Sequence, residues 1–160
     1  MSRKKQTRVR RLHEDGLYQS PTVAKLINDV MRAGKKIPAQ KQVYKALEII
    51  KKETKTDDVL TVLEQSLDNI KPKVEVRPRR IGGAVYQVPT PVKSNRQVSL
   101  ALRWLITIAR KKDNKQNRTF AEKLSSELLL ALKNEGASVA KRLEVERMAE
   151  ANKAFAHLRW

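Results

Sequence analysis

Apolar residues recur at helical spacing through most of the chain and change to simple alternation only once. Val23, Leu26, Ile27, Val30 and Met31 follow the i, i+3, i+4, i+7, i+8 pattern of an amphipathic helix. Ser20-Pro21 marks its start, with serine as N-cap and proline at the first helical position, and Gly34 its stop. Pro38 opens a second predicted helix that buries Val43, Ala46, Leu47 and Ile50, and Asp57 caps a third with Leu60, Leu63, Leu67 and Ile70 inward. Short links between these three predict an antiparallel bundle. Further on, Ser94-x-x-Gln97 reads as the capping box of a fourth helix with Val98, Ala101, Leu102, Leu105 and Ile108 on one face. Phe120, Leu124, Leu128, Ala131 and Leu132 line a fifth that ends at Gly136. A sixth, from about Ser138, has a thin apolar face and mixed charge, which places it at the edge of the bundle.

The change of period lies in the middle. After Lys71-Pro72 the pattern alternates in Val74-Glu75-Val76-Arg77 and again in Tyr86-Gln87-Val88, with Gly82-Gly83 between them as a hairpin turn. Pro78 withdraws a ladder donor, which makes its strand an edge or marks a bulge. Two strands at ~3.3 Å per residue extend roughly 25–30 Å. They are marginally stable alone, so the hairpin must lean on the helices at its base and on a ligand at its tip. The expected fold is mainly α: a six-helix bundle with one protruding two-stranded β-hairpin at about 73–90, within a helical domain over 20–160 that follows a basic arm over 1–19.

Charge then narrows the function. Thirty-five Lys and Arg against seventeen Asp and Glu give a net +18, which points to a polyanionic partner. The longest apolar stretch, Leu100–Ala109, is broken by Arg103 and is too short to span a bilayer, so no membrane partner is expected. Met1-Ser2-Arg3-Lys4-Lys5 leads into more charge with no apolar segment, which predicts no secretory signal, and the absence of cysteine fits a reducing, cytoplasmic setting.

The cations gather where apolar residues are absent. Arg3, Lys4, Lys5, Arg8, Arg10 and Arg11 form an arm expected to order against phosphates. Lys35-Lys36 lies on the first interhelical corner, on the side expected for the other basic loops. From Lys71 to Arg96 the basic residues Lys71, Lys73, Arg77, Arg79, Arg80, Lys93 and Arg96 face a single acid, Glu75. Arginine predominates there, and its planar fork suits bidentate phosphate contacts. Arg110, Lys111 and Lys112 begin another basic loop. Tyr86 offers a stacking face for a base or, preferentially, packs across the strands, and Trp104 reads as a lid over the core.

Catalytic constellations are missing from the sequence. His13 and His157 have no spacing to each other or to carboxylates that suits a metal site or a triad, and no P-loop, G-x-S-x-G or H-E-x-x-H occurs. No enzyme activity and no cofactor are therefore expected.

Several segments together resemble the family of small-subunit ribosomal protein seven. They are Gly34-Lys35-Lys36, Val43-Tyr44-Lys45-Ala46-Leu47-Glu48, Val74-Glu75-Val76-Arg77, Arg79-Arg80-Ile81-Gly82-Gly83, Tyr86-Gln87-Val88-Pro89, Ala101-Leu102-Arg103-Trp104 and the run from Met148 to His157. The resemblance implies a structural protein that binds the 3′ major (head) domain of small-subunit, 16S-type ribosomal RNA and nucleates head assembly. It implies RNA contacts at Arg3 to Arg11, Lys35, Lys36, Lys73, Arg77, Arg79, Arg80, Arg96, Arg103, Trp104 and Arg110 to Lys112, which moves Trp104 from lid to contact. It also implies a hairpin near the exit transfer RNA and the messenger path, with proteins eleven and nine as neighbours in head and platform.

Glu14-Asp15-Gly16-Leu17 replaces the family's usual proline-containing linker, and Gln42 replaces an aliphatic residue, predicting a wetter edge on the second helix. The competing reading is an architectural DNA-binding protein with a basic β-arm, which needs an apolar wedge at the tip where only Ile81 is available. An RNA-modifying enzyme would need a cofactor site that the sequence lacks.

Overall fold

The computed structural model describes residues 14–158. In chain order these form α1 (Pro21–Val30), α2 (Lys36–Thr54), α3 (Val59–Ile70), β1 (Val74–Ile81), β2 (Ala84–Pro91), α4 (Ser94–Lys111), α5 (Phe120–Leu132), α6 (Ala137–Ala151) and a 3-10 helix (Lys153–Leu158). The fold is mainly α with one antiparallel hairpin, as expected. The basic arm residues Arg3, Lys4, Lys5, Arg8, Arg10 and Arg11, and with them His13, lie outside the described residues.

The bundle is organised around α5, which packs against α2, α3, α4 and α6. The first three helices therefore do not form the self-contained antiparallel bundle that their short links predicted. Among the described residues α1 packs on α2 and α4 but not on α3, and α2 and α3 barely touch. The reason is that the apolar faces of α2 (Val43, Leu47, Ile50) and α3 (Leu63, Leu67, Ile70) share one core with Leu124, Leu128 and Ala131 of α5. α5 starts with a capping box: Thr119 accepts from the Glu122 N–H at 3.3 Å and Glu122 accepts from the Thr119 N–H at 3.3 Å. Gln42, expected to wet one edge of α2, instead accepts the Ala121 N–H at 3.1 Å, one of the orphan donors in the first turn of α5.

Several helix ends move from their predicted places. α1 stops at Val30, because Met31 turns extended (ψ 138) and the chain then passes through left-handed Ala33 and Gly34. α2 begins at Lys36, so Pro38 falls within its first turn, where its missing N–H has no intrahelical partner to lose. Asp58, not Asp57, caps α3 by accepting from the Thr61 N–H at 3.2 Å, and Asp57 pairs with Lys51 on the surface. Ser94 is the first residue of α4 and Lys93 its N-cap, with no side-chain capping bond, so the box expected there is absent. α5 ends at Leu132, and Gly136 serves as the N-cap of α6. Its φ of +92 and the approach of Glu127 Oε1 and Leu130 Cβ to 3.0 Å from the place of a Cβ leave room only for glycine.

The hairpin register runs from Val74↔Pro91 to Ile81↔Ala84 without a bulge. Gly82 and Gly83 both have positive φ (56 and 88), as a two-residue type I′ turn requires. Hydrogen-bonded and open pairs alternate outward from this turn, and the Val92 N–H to Lys73 carbonyl bond (3.1 Å) continues the ladder past the strands. Pro78, Pro89 and Pro91 all fall in open pairs, so none removes a ladder donor. The hairpin base is not free. α6, which the sequence placed at the bundle edge, also runs against both strands, and the Phe155 ring of the 3-10 helix lies 5.3 Å from that of Tyr86. Tyr86 thus packs against the C-terminal segment and not only across the strands.

One charge lies at the centre. The Glu127 side chain is 0% exposed. Its Oε1 accepts from the Ser138 N–H (2.9 Å) and hydroxyl (2.8 Å), and Lys112 Nζ stands 3.0 Å from Oε2. Burial pushes this carboxyl up, but the bonds from Ser138 and the Lys112 ammonium outweigh it and hold the group below its ordinary value of 4.5. A depressed native pKa contributes stability that is present above the unfolded value and is lost as pH falls through the native one. We expect Glu127→Gln to cost on the order of 1–3 kcal/mol at neutral pH. We also expect it to flatten the fall in melting temperature on acidification below pH 4.5, as followed by circular dichroism.

Candidate nucleic-acid interface

Arg96, Arg103 and Arg110 stand seven residues apart on α4. Seven residues are nearly two turns, so the three guanidiniums share one side of the helix over about 21 Å. The opposite side, through Leu102, Leu105 and Ala109, is buried. A groove of about 300 Å³ between α1 and α4 is lined by Lys25, Asp29, Ser99, Arg103, Ile106 and Arg110. Lys25 Nζ donates to Ser99 Oγ at 2.7 Å, tying the two helices. Burial raises the pKa of Asp29 despite the opposing pull of Lys25 and Arg103.

At its far end α4 meets the first interhelical corner. Arg110 Nη2 donates to the Val30 carbonyl at 2.8 Å and so satisfies an orphan acceptor at the end of α1. A second groove, about 330 Å³, has Val30, Pro38 and Phe120 in its wall and Arg32, Lys35 and Arg110 around it. The structure thus brings Lys35 beside Arg110, as the expected common side of the basic loops requires. Burial, and then the like charge of Arg32, lower the pKa of Arg110. Lys36 and Lys111 are exposed. Lys112 is turned inward to Glu127 and to Ser126 Oγ (3.1 Å), so its ammonium serves the fold. Trp104 is half-buried against the core.

At the near end of α4 stands the hairpin base. Glu75 is buried and accepts from Arg77 of β1 and from Arg96 of α4. Arg80, near the tip, and Lys73, at the base, are exposed, while Arg79 is half-buried. The route into the body from the N-terminus is also defined. Asp15 accepts from the Leu17 and Tyr18 N–H groups at 3.2 Å and from the Tyr44 hydroxyl at 2.8 Å, which pins the turn before α1 onto α2.

Sequence reasoning overlooked Lys25, Arg32 and the part played by Glu75. The seven-residue spacing of the α4 arginines was readable. Arg32 carried no signal, because the first helix was taken to run through it. The assembled surface is cationic, with its acids paired or shielded. Among the described residues no group of three or more His, Asp or Glu side chains is placed to hold a metal ion. Such a surface binds phosphodiesters through charge and guanidinium forks.

The family model described as ribosomal protein S7p/S5e matches residues 2–153. The chain is 51% identical over 158 residues, 99% of each chain, to small ribosomal subunit protein uS7 of Thermosipho africanus. It is 54% identical over 146 residues, 91% of each, to the protein of that name from Thermodesulfovibrio yellowstonii, and 49% identical over 160 residues, 100% of each, to that of Rhodococcus opacus.

Arg103 and Arg110 should separate in their effects. Arg110→Ala leaves the Val30 carbonyl without its charged donor and is expected to cost about 1.5–3 kcal/mol. Arg103→Ala, on an exposed side chain, should stay within about 0.5 kcal/mol of the parent. Chemical denaturation of both variants checks this.

Proposed function

Because this chain belongs to the ribosomal protein S7p/S5e family of structural, non-enzymatic components of the small ribosomal subunit, we propose that it binds the 3′ major (head) domain of 16S-type ribosomal RNA and nucleates head assembly. The chain is a ribonucleoprotein constituent of the cytoplasmic ribosome. The finer reading rests on one observation: Arg96, Arg103 and Arg110 share one side of α4, with Arg77 at one end of the row and Arg32 and Lys35 at the other. A row of about 21 Å fits successive phosphates of a folded RNA better than a compact ligand.

In the same reading the hairpin carries Arg80 away from the body toward the exit transfer RNA and the messenger path, the C-terminal region approaches protein eleven, and protein nine is a further neighbour. Two features support a hairpin that reaches outward: its tip residues Gly82 to Val85 are exposed, while its base, at Val88 and Val92, is buried. The DNA-bending alternative needs a bulky apolar wedge at that tip, and Ile81 is partly covered.

Titration of a head-domain RNA fragment tests the proposal. If the surface and arm together make about seven phosphate contacts, affinity should fall roughly 10³–10⁵-fold between 50 and 200 mM salt. Equal affinity for duplex DNA at moderate salt would instead favour the DNA reading. Arg80→Ala is expected to leave subunit profiles normal while raising frameshifting in the same strain; a lost subunit peak would make the hairpin an assembly element.

A further inference from the structure

Arg77 on β1 and Arg96 in the first turn of α4 come from different elements, yet one carboxylate holds both. Glu75 is buried, its side chain 9% exposed, whereas the two arginine side chains are each 48% exposed. Arg77 donates from Nε to Glu75 Oε1 at 2.5 Å, and its Nη2 forms an ion pair with the same oxygen at 2.5 Å. Arg96 donates from Nε alone, at 2.9 Å to Oε1 and 2.8 Å to Oε2. The inner edge of the Arg96 guanidinium is thus taken and its outer N–H groups are left over. Arg77 likewise keeps Nη1.

The register explains the arrangement. Glu75 pairs with Thr90 and Arg77 with Val88, so the acid and the first arginine share one face of the hairpin. Val88 is fully buried on that face, and the Thr90 hydroxyl donates to the Glu75 carbonyl at 3.3 Å, which fixes the strand where the carboxylate sits. Burial pushes the Glu75 carboxyl up, but the bonds from Arg96 and Arg77 outweigh it and hold it below its ordinary value, so it is ionised at neutral pH.

We infer that Glu75 is a positioning residue that joins Arg77 and Arg96 into one two-guanidinium clamp for a single RNA phosphodiester at the hairpin base. The inference rests on the RNA-binding reading above. Two guanidiniums brought to one place repel each other, and without a shared anion each would spread through its rotamers into water. The carboxylate beneath them removes both costs before the RNA arrives. One negative charge against two positive ones leaves the site net positive. The outer N–H groups then match two phosphate oxygens as a fork, and an ordered site loses less freedom on binding.

The test turns on a change of sign. Glu75→Gln adds one unit of positive charge, so a diffuse electrostatic surface would bind RNA more tightly, whereas a clamp that has lost its anchor binds less. A head-domain RNA fragment and an unrelated RNA of equal length are titrated at moderate salt with the full-length protein and with Glu75→Gln, Arg77→Ala, Arg96→Ala and the double arginine variant. We expect Glu75→Gln to weaken the head-domain complex about tenfold, a loss in the range of one specific arginine contact, while the unrelated RNA binds as before or tighter. We also expect the double arginine variant to lose clearly less than the product of the two single losses, because two groups that act on one phosphate are coupled. Unchanged or tighter head-domain binding by a Glu75→Gln protein of native helical content overturns the inference. Should that variant melt, additive losses from the two arginine substitutions overturn it instead. Failure of the parent protein to prefer the head-domain fragment is a different result, because it removes the RNA reading and with it the ligand of the clamp.

Discussion

A helix packed against four others buries most of its surface, and α5 carries two charged side chains, Lys123 and Glu127, into that buried side. Glu127 is met by Ser138 at the start of α6 and by Lys112 at the end of α4. Lys123 donates to the Lys112 carbonyl and to Asn114 Oδ1, each at 2.6 Å. These bonds close the loop between α4 and α5 and the turn between α5 and α6. An ionised carboxylate removed from water without partners is strongly unfavourable, so the packing of α4, α5 and α6 is tied to the formation of this network. The place of α4 in turn decides where its arginines stand.

The functional surface faces the opposite electrostatic problem. A chain of net charge +18 repels itself, most of all where cations crowd. The structure answers with a few acids used locally. Asp15 orders the turn before α1 and Glu75 gathers two arginines from separate elements, while Asp29 lies between Lys25 and Arg103. Backbone carbonyls take part as well: Arg110 is held by the last carbonyl of α1. Cations held in this way lose less freedom when a polyanion binds them.

The hairpin divides along the same line. Its base is covered by α6 and the 3-10 helix, and Val88, Val92, Tyr86 and Phe155 supply the apolar contacts that an isolated pair of strands lacks. Its tip closes in the type I′ turn, where Gly82 to Val85 are exposed. A two-strand element with a rigid root and a charged end suits contact with something beyond the body of the protein.

Much of this was legible in the residues. Periodicity found six helices and the hairpin, and Gly82-Gly83 located the turn, because each is a local property of spacing and of backbone freedom. Clustered arginines pointed to a polyanionic partner, and the resemblance in Arg79-Arg80-Ile81-Gly82-Gly83 and the run from Met148 pointed to the family. Helix ends were less legible. Asp57 and Asp58 are equally good caps by type, and Ser94 and Thr119 each begin a plausible box, so only the path of the chain chooses between them. Sequence also could not show that α5 stands between α2 and α3, since apolar faces do not name their partners. For the same reason Lys112 read as one more surface cation, although Glu127, fifteen residues later, draws it inward. Arg77 and Arg96 were visible separately. That they meet over Glu75 depended on packing α4 beside the hairpin, because electrostatic pairing between distant segments follows from proximity in space and leaves no periodic trace along the chain.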